Sequence, residues 1–321
     1  MHTIESPGEL IAGIAPTLGF PPVESLVIVT VAGGLMNCTM RLDLRDAGVD
    51  GTVDRLAELA VRNGADGVVA VIVSAEAASC PICARQFRDL SGDLDGALGR
   101  RGARLLGAFV VDRIQAGGRW HCVDNCGGGG VLNDPAASVM AAAAVAAGHR
   151  MYKDRDELKA SVAVDSEHAA AVAPLLDGAL NRVGCVAVAV REVVAAVHRM
   201  AEGTVPSDGE LASIGAALGD VRVRDLLFTT ADSDVAASAE ALWTLLARIL
   251  PPRLRVEALT LLAFSAYLRG EGPLAGIALD AALAEEPHHR MARMLDTALQ
   301  RGVRPDELRE LLSGIPSAMT V

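Results

Sequence analysis

Aromatic side chains are scarce in this chain, because phenylalanine, tryptophan and tyrosine together make up 3% of its 321 residues. Hydrophobic residues nevertheless account for 51% of the sequence, which excludes a disordered chain. Much of that fraction is alanine, so the cores must be built from alanine, valine and leucine at close range. Packing of helix on helix suits such small side chains best.

Positive charge is also in short supply. The chain has 29 lysines and arginines against 40 aspartates and glutamates, for a formal net charge of -11. A protein that binds a phosphate backbone needs a basic face. We therefore expect no nucleic-acid partner.

Long apolar runs and a leader pattern are missing as well. Residues 1–7 place no basic region ahead of an apolar stretch, so we expect no secretory signal. The longest run of small apolar residues, 139–147, is too short to span a bilayer. These absences predict a cytoplasmic protein without a membrane partner, in which the six cysteines are mostly reduced.

Residues 1–130 carry the pattern of a sheet domain. Strands are predicted over four apolar runs: 25–32, 36–44, 67–74 and 104–112. The first two flank Gly33-Gly34 and form a hairpin, and helical spacing separates the later strands. Alternation of strands and helices predicts right-handed crossovers onto a largely parallel sheet. The fold class is therefore an α/β or α+β sheet domain with crossover helices.

Residues 131–321 read as an all-α domain, a helical array whose segments are broken by glycine and proline. One hairpin ahead of Pro287 resembles a tetratricopeptide pair in its alternation of small and large residues. The positions that carry this pattern are Leu259, Leu262, Ala263, Ala266, Ala275, Leu279 and Ala282. A stable solenoid needs several repeats, so an ordinary antiparallel helix pair remains the alternative.

Four stretches of the chain resemble one known family. They are Leu18-Gly19-Phe20-x-Pro22-x-x-Ser25-Leu26-Val27, the segment 118–126, Val223-Arg224-Asp225, and residues 259–279. Together they span both halves, and the chain resembles an uncharacterised actinobacterial family known as domain of unknown function 4192. The resemblance implies no activity, substrate or catalytic residue.

The chain also departs from the pattern expected of that family. Its relatives resemble Cys-Cys-Pro followed by glycine, where this sequence has Cys126-Gly127-Gly128. A Cys-x-x-Cys at the position of Cys80 and Cys83 is not expected of them either. Chemistry that uses all four thiols would be particular to this branch.

Two cysteine clusters offer the sharpest chemical signal. Cys80 and Cys83 lie between a predicted strand and a predicted helix, which is typical of a thioredoxin-like redox site. Cys122 and Cys126 follow another strand of the same sheet, and His121 is adjacent. Because both clusters follow strands, the four cysteines could hold a structural zinc ion, with His121 as an alternative ligand. The bland interpretation, which the irregular spacing favours, is that they are separate buried or surface thiols.

Other motifs favour structural roles. Gly127 to Gly130 lacks the lysine and the following helix of a phosphate loop, which favours a flexible connector. Arg224 is expected to pair with Asp225 or a neighbouring carboxylate and to fix the packing of helices. No Gly-x-Ser-x-Gly elbow or ordered triad is present, so the sequence does not decide whether the protein is an enzyme.

The absence of catalytic motifs favours a non-catalytic interaction or regulatory protein, with a sheet platform and a helical groove for a protein partner or for self-association. One alternative is a small-molecule binder or enzyme that uses the loops around residues 74–83 and 112–126. The other alternative is the thiol or zinc site. No further cofactor is expected.

Overall fold

The computed structural model describes residues 6–79, 81–124, 126–181 and 184–320, without the side chains of residues 81–84. Contacts divide the chain into a sheet unit, residues 1–155, and a helical unit, residues 156–321. A sheet with helices followed by a helical array was the predicted fold class, and it is confirmed. Residues 131–155, which the sequence pattern assigned to the helical domain, group with the sheet unit.

The sheet unit contains six described strands and five described α-helices. The strands are β1 (Ser25–Ala32), β2 (Leu35–Asp43), β3 (Gly67–Val73), β4 (Arg104–Val111), β5 (Arg119–Cys122) and β6 (Gly129–Val131). The helices are α1 (Pro7–Leu18), α2 (Thr52–Arg62), α3 (Ala75–Ser79), α4 (Pro81–Gly99) and α5 (Val139–Ala146).

The described strands form one mixed sheet in the order β2-β1-β3-β4-β5-β6. Only β3 and β4 are hydrogen-bonded in parallel, and the other neighbouring pairs are antiparallel. The predicted largely parallel sheet is therefore wrong. The opening hairpin makes the sheet mixed, because β1 inserts between β2 and β3 and runs antiparallel to both.

Both faces of the central strands are buried. Even-numbered residues such as Ile28 and Ile72 join α2 and α4 in one hydrophobic core. Val27 and Val71 on the opposite face have no exposed surface either. Helix α1 contacts β2 and, through Gly8, reaches Trp120 of β5. Helices on both faces explain why β1 and β3 are nearly uninterrupted runs of apolar residues.

Ten further described α-helices follow the sheet unit, and the first begins at its boundary. They are α6 (Arg155–Ala160), α7 (Ser166–Leu180), α8 (Val186–Ala201), α9 (Asp208–Leu218), α10 (Val221–Leu227), α11 (Ala236–Ile249), α12 (Pro252–Leu268), α13 (Gly272–Glu285), α14 (Arg290–Gln300) and α15 (Pro305–Glu310). None of the described helices is both long and apolar enough to cross a membrane.

Helices α12 and α13 form the hairpin whose pattern resembles a tetratricopeptide pair. Ala263 and Ala275, the small residues that let the helices approach, are completely buried, as are Leu262 and Leu279. Helix α12 is also packed by α11, α9 and α14, and it is buried along almost its whole length. The hairpin therefore belongs to the core of the helical unit.

Arg224 anchors a buried ion-pair network between α10 and α12. Its guanidinium donates to Asp225 Oδ1 at 2.6 Å and to Glu257 Oε2 at 2.7 Å. His289 caps α14 by accepting from the Ala292 N–H, and its Nε2 lies 3.3 Å from Glu257 Oε1. The predicted pairing of Arg224 with Asp225 and a neighbouring carboxylate is confirmed, and its role in fixing the packing of the helices stays a prediction.

Replacement of Arg224 by methionine tests how much this network contributes to the free energy of unfolding. The methionine keeps an apolar stem but leaves Glu257 without its guanidinium, in a site where Glu257 is only 13% exposed. We expect the free energy of unfolding to fall by about 3 kcal/mol, since a buried carboxylate loses its guanidinium partner and keeps only the contact with His289. Chemical denaturation followed by circular dichroism measures the change.

Arg222→Met is the matched control for this variant, because Arg222 lies on the same helix with its side chain 73% exposed. Its ion pair with Asp220 is solvated, so we expect no measurable shift of the unfolding midpoint. Equal destabilisation by the two variants would show that the Arg224 network adds nothing beyond a surface pair.

Candidate metal centre

The loop between β5 and β6 brings two predicted site residues together. Cys122 ends β5, and its N–H donates to the Gly128 carbonyl at 3.0 Å, which closes the loop. Asp124 Oδ1 accepts from the Cys126 N–H at 3.2 Å. Gly127 has a φ of 89°, a left-handed conformation that glycine adopts without strain. These features turn Cys126 back towards Cys122.

Three potential ligand atoms meet in this loop. Cys122 Sγ, a carboxylate oxygen of Asp124 and Cys126 Sγ all lie within 4.8 Å of one another. A Cβ atom on Gly128 would lie 2.8 Å from Cys122 Sγ and 3.7 Å from Cys126 Sγ. The missing side chain of Gly128 therefore makes the room that the two sulfur atoms occupy.

Electrostatic repulsion inside this cluster is not balanced by a described cation. Removal from water raises the pKa of Cys122 to about 11, helped by its hydrogen bond to Cys126 and by the negative charges of Cys126 and Asp124. A divalent cation would convert this repulsion into attraction. Two thiolates and one carboxylate are a donor set suited to zinc.

The other predicted ligands are placed as follows. His121 alternates with Cys122 along β5, and its Nδ1 lies 2.9 Å from the Cys122 carbonyl oxygen, so it stands outside the three-residue group. Cys80 and the side chain of Cys83 lie outside the described residues. Helix α3, which ends at Ser79 directly before Cys80, contacts β4 and β5.

Asp124 is the member of the group that sequence reasoning missed. It lies two residues after Cys122 and two before Cys126. An oxygen donor midway between two cysteines in a loop is a usable signal, because a turn brings all three side chains to one side.

The glycine run after Cys126 has a different role from the predicted connector. Gly129 and Gly130 belong to β6 and pair with His121 and Trp120 of β5. A Cβ on Gly129 would lie 2.9 Å from the Trp120 carbonyl oxygen. The connector interpretation is wrong for these two residues, whose lack of a side chain permits close pairing with β5.

The strand ends named in the small-molecule alternative carry structural contacts. Asp112 accepts from the Arg119 N–H at 2.7 Å and from Arg113 at 2.9 Å. Ser74 Oγ accepts from the Ala77 N–H at the start of α3. A cavity lies between the sheet and α2 and α4, lined mainly by apolar side chains, and its volume of about 10 Å³ suits one water molecule at most.

Two further cysteines differ in their electrostatic surroundings. Cys185 is exposed at the start of α8, where the backbone N–H groups of Val188 and Ala187, aided by Arg191, lower the pKa of its thiol. Burial raises the pKa of the Cys38 thiol in β2. The thiolate is the reactive form, so the two residues should differ in reactivity.

Alkylation of the native protein should therefore modify Cys185 well before Cys38. The pKa of Cys185 lies below the ordinary thiol value, so the rate of its alkylation should persist as the pH falls. The rate of alkylation of Cys38 should rise only at alkaline pH. Timed reaction with iodoacetamide over a pH series, followed by peptide mass spectrometry, gives both profiles. Equal rates at neutral pH in the native protein would contradict the prediction, and unfolded protein serves as the control in which the two thiols should converge.

Comparison with known proteins identifies a family without a known activity. No curated protein matches the chain, and no solved structure matches it. A family model described as Domain of unknown function (DUF4192) matches residues 7–306. The chain belongs to this family.

Proposed function

We propose that the sheet unit binds a zinc ion through Cys122 and Cys126, and that the metal has a structural, non-catalytic role. The observation that carries the proposal is the meeting of two sulfur atoms and a carboxylate oxygen within 4.8 Å. This group stands at the end of β5, in the loop that leads to β6.

The spacing of the sulfur atoms is compatible with a single ion. Zinc binds thiolates at about 2.3 Å with tetrahedral geometry, so two sulfur ligands lie about 3.8 Å apart. Cys122 and Cys126 are within 4.8 Å, and small rotations about their Cα–Cβ bonds would bring both onto one ion. The loop hydrogen bonds need not break for this adjustment.

Structural zinc sites are closed by four protein ligands. We propose Cys80 and Cys83 for the two remaining positions, since Cys-x-x-Cys is a common zinc-binding pair. The described helix α3, which contacts β5, ends one residue before Cys80 in the sequence. Asp124 is the alternative, as an oxygen ligand from within the loop. The number of thiolates on the metal separates these two arrangements.

A metal in this position would stabilise the weakest part of the sheet. Strand β6 has three residues, all of them exposed, and two of them are glycines. Glycine loses more conformational freedom on folding than any other residue. An ion that binds only the folded loop lowers the free energy of that form, so metal binding would favour the paired hairpin.

Metal binding by the full chain tests the proposal. We expect one equivalent of zinc per chain, and a thiolate-to-cobalt charge-transfer band when cobalt replaces zinc. Cys122→Ser and Cys126→Ser should each weaken zinc affinity more than about 100-fold, since loss of an outer partner alone costs 10- to 100-fold. Affinity should fall as the pH falls, because the thiols must lose their protons to bind. Competition with a chromophoric chelator measures these affinities.

Cys185→Ser is the matched control, because Cys185 is an exposed cysteine of the helical unit. It should leave zinc affinity unchanged. The double variant Cys80→Ser with Cys83→Ser should halve the cobalt charge-transfer intensity if four thiolates bind. If Asp124 is a ligand, Asp124→Asn should weaken zinc affinity and the double variant should not change the intensity. A wild-type chain without tight zinc binding would end the proposal.

We propose self-association as a second function, and helix α5 is the observation that favours it. Residues 135–148 carry no ionisable side chain, in a chain with a net charge of -11. Val139, Ala142, Ala143 and Ala146 share one face of α5, and all four are exposed. A second copy of the chain is the proposed partner, since two equally charged molecules repel least where both surfaces are neutral.

Ala143→Glu places a charge in the middle of this face and keeps a good helix former. We expect sedimentation velocity to show a dimer for the native chain and a monomer for the variant, because a buried unpaired carboxylate opposes association. Val49→Asp, at an exposed apolar position outside α5, is the control and should leave the dimer intact. A native chain that stays monomeric at every concentration would refute this second proposal.

A further inference from the structure

We infer that Cys122 and Cys126 form a reversible dithiol–disulfide pair that is oxidised by small-molecule disulfides. Formation of the disulfide needs no metal. Its regulatory consequence rests on the proposed zinc site, since cysteine ligates zinc as the thiolate and the oxidised pair would release the ion. Oxidation and metal binding are thus alternative states of the same loop.

The loop holds the two sulfur atoms in position for a covalent bond. The Sγ atoms of Cys122 and Cys126 lie within 4.8 Å of each other. The hydrogen bond from Cys122 N–H to the Gly128 carbonyl fixes one end of the loop, and that from Cys126 N–H to Asp124 fixes the other. A disulfide needs an S–S distance of about 2.05 Å and a dihedral angle near ±90°. Side-chain rotation supplies this approach while β5 and β6 stay paired.

Gly128 leaves the space that this bond requires. Its Cα has no substituent on the side of the two sulfur atoms, where a Cβ would lie 2.8 Å from Cys122 Sγ. A larger residue would displace that sulfur atom from its present position. The glycine therefore favours bond formation between the two cysteines.

Exposure assigns different roles to the two thiols. Cys126 is exposed, whereas Cys122 is partly buried at the end of β5. An external disulfide therefore meets Cys126 first. Cys122 is protected from that encounter but stands beside Cys126, which suits it to resolve the mixed disulfide.

The reaction is a pair of thiol–disulfide exchanges. Cys126, as the thiolate, attacks one sulfur atom of a disulfide RSSR, the S–S bond breaks, and one RS⁻ leaves. Cys122 then loses its proton to solvent and attacks Cys126 Sγ, which releases the second RS⁻. The two protein thiols are oxidised to one disulfide, and RSSR is reduced to two RSH after protonation.

The remaining described cysteines lack this arrangement. Cys185 is the only cysteine in residues 156–321, so it has no thiol partner within its own unit. Cys38 lies in β2, where burial shields its thiol. Mixed disulfides are expected on Cys185, and a Cys185→Ser background removes them from the measurement.

The test uses the full chain with Cys185→Ser, freed of metal by a chelator and equilibrated with glutathione buffers of graded oxidation. Alkylation quenches the reaction before trypsin digestion and mass spectrometry. The tryptic peptide 120–150 contains both cysteines. We expect it to carry two alkyl groups after reduced buffer, and after oxidised buffer to carry none and to weigh two hydrogens less than the unalkylated peptide.

Two single variants separate the roles of the thiols. Cys122→Ser should retain glutathione on Cys126 as a stalled mixed disulfide. Cys126→Ser should leave Cys122 as a thiol, modified at least about tenfold more slowly because of its burial. Far-ultraviolet circular dichroism of each variant confirms the fold. Persistent glutathione on Cys126 of the parent chain, or a disulfide from either cysteine to Cys80 or Cys83, would overturn the inference.

A parallel series with zinc present separates this inference from the proposed function. Zinc should slow oxidation of the pair at least about tenfold if both hold, since bound thiolates are shielded. A disulfide that forms at the same rate with and without zinc supports the inference and counts against the zinc site. If the chain binds zinc but its metal-free form makes no disulfide, the zinc site is supported and the disulfide inference is contradicted.

Discussion

Burial of β3 on both faces is the constraint on which the sheet unit depends. All seven residues of this strand are buried, from Gly67 to Val73. Its two neighbours, β1 and β4, satisfy its backbone hydrogen bonds, and helices must cover both faces because no polar side chain is available to meet water. The chain that leaves β3 continues at once into α3, which contacts β4 and β5. The surroundings of the loop between β5 and β6, which carries Cys122 and Cys126, therefore follow from how this central strand is enclosed.

The helical unit meets a different constraint, since it has few aromatic residues to fill space. Alanines such as Ala263 and Ala275 allow close approach of α12 and α13, and buried arginines tie the surrounding segments together. Arg255 illustrates the second device: it donates to the carbonyl oxygens of Ala247 and Val162 and to Glu285. One side chain thus satisfies three acceptors and joins α11 and α13 to the segment after α6. Small side chains let the helices approach closely, and buried arginines form hydrogen bonds and ion pairs to acceptors on particular neighbouring segments.

Local sequence pattern predicts the strands and the change from sheet to helices. It also predicts the ion pair of Arg224. β-branched runs such as 67–73 are strong signals, and an arginine beside an aspartate invites an ion pair. The order of the strands could not be predicted, because the insertion of β1 between β2 and β3 depends on pairing between distant segments. Cys122 and Cys126 were found by residue type, whereas Asp124 was missed because its approach depends on the turn at Gly127. The burial of α12 on all sides was hidden too, since helical periodicity does not reveal how many neighbours a helix has.

The shortness of β6 has a consequence for the sheet as a whole. An unpaired outer strand offers a row of N–H and C=O groups on which a strand from another molecule can be added. Strand β6 has only three residues, Gly129, Gly130 and Val131, so its outer side presents too few such groups to template a long ladder. Growth of the sheet by intermolecular strand addition is thereby disfavoured at this exposed, glycine-rich edge.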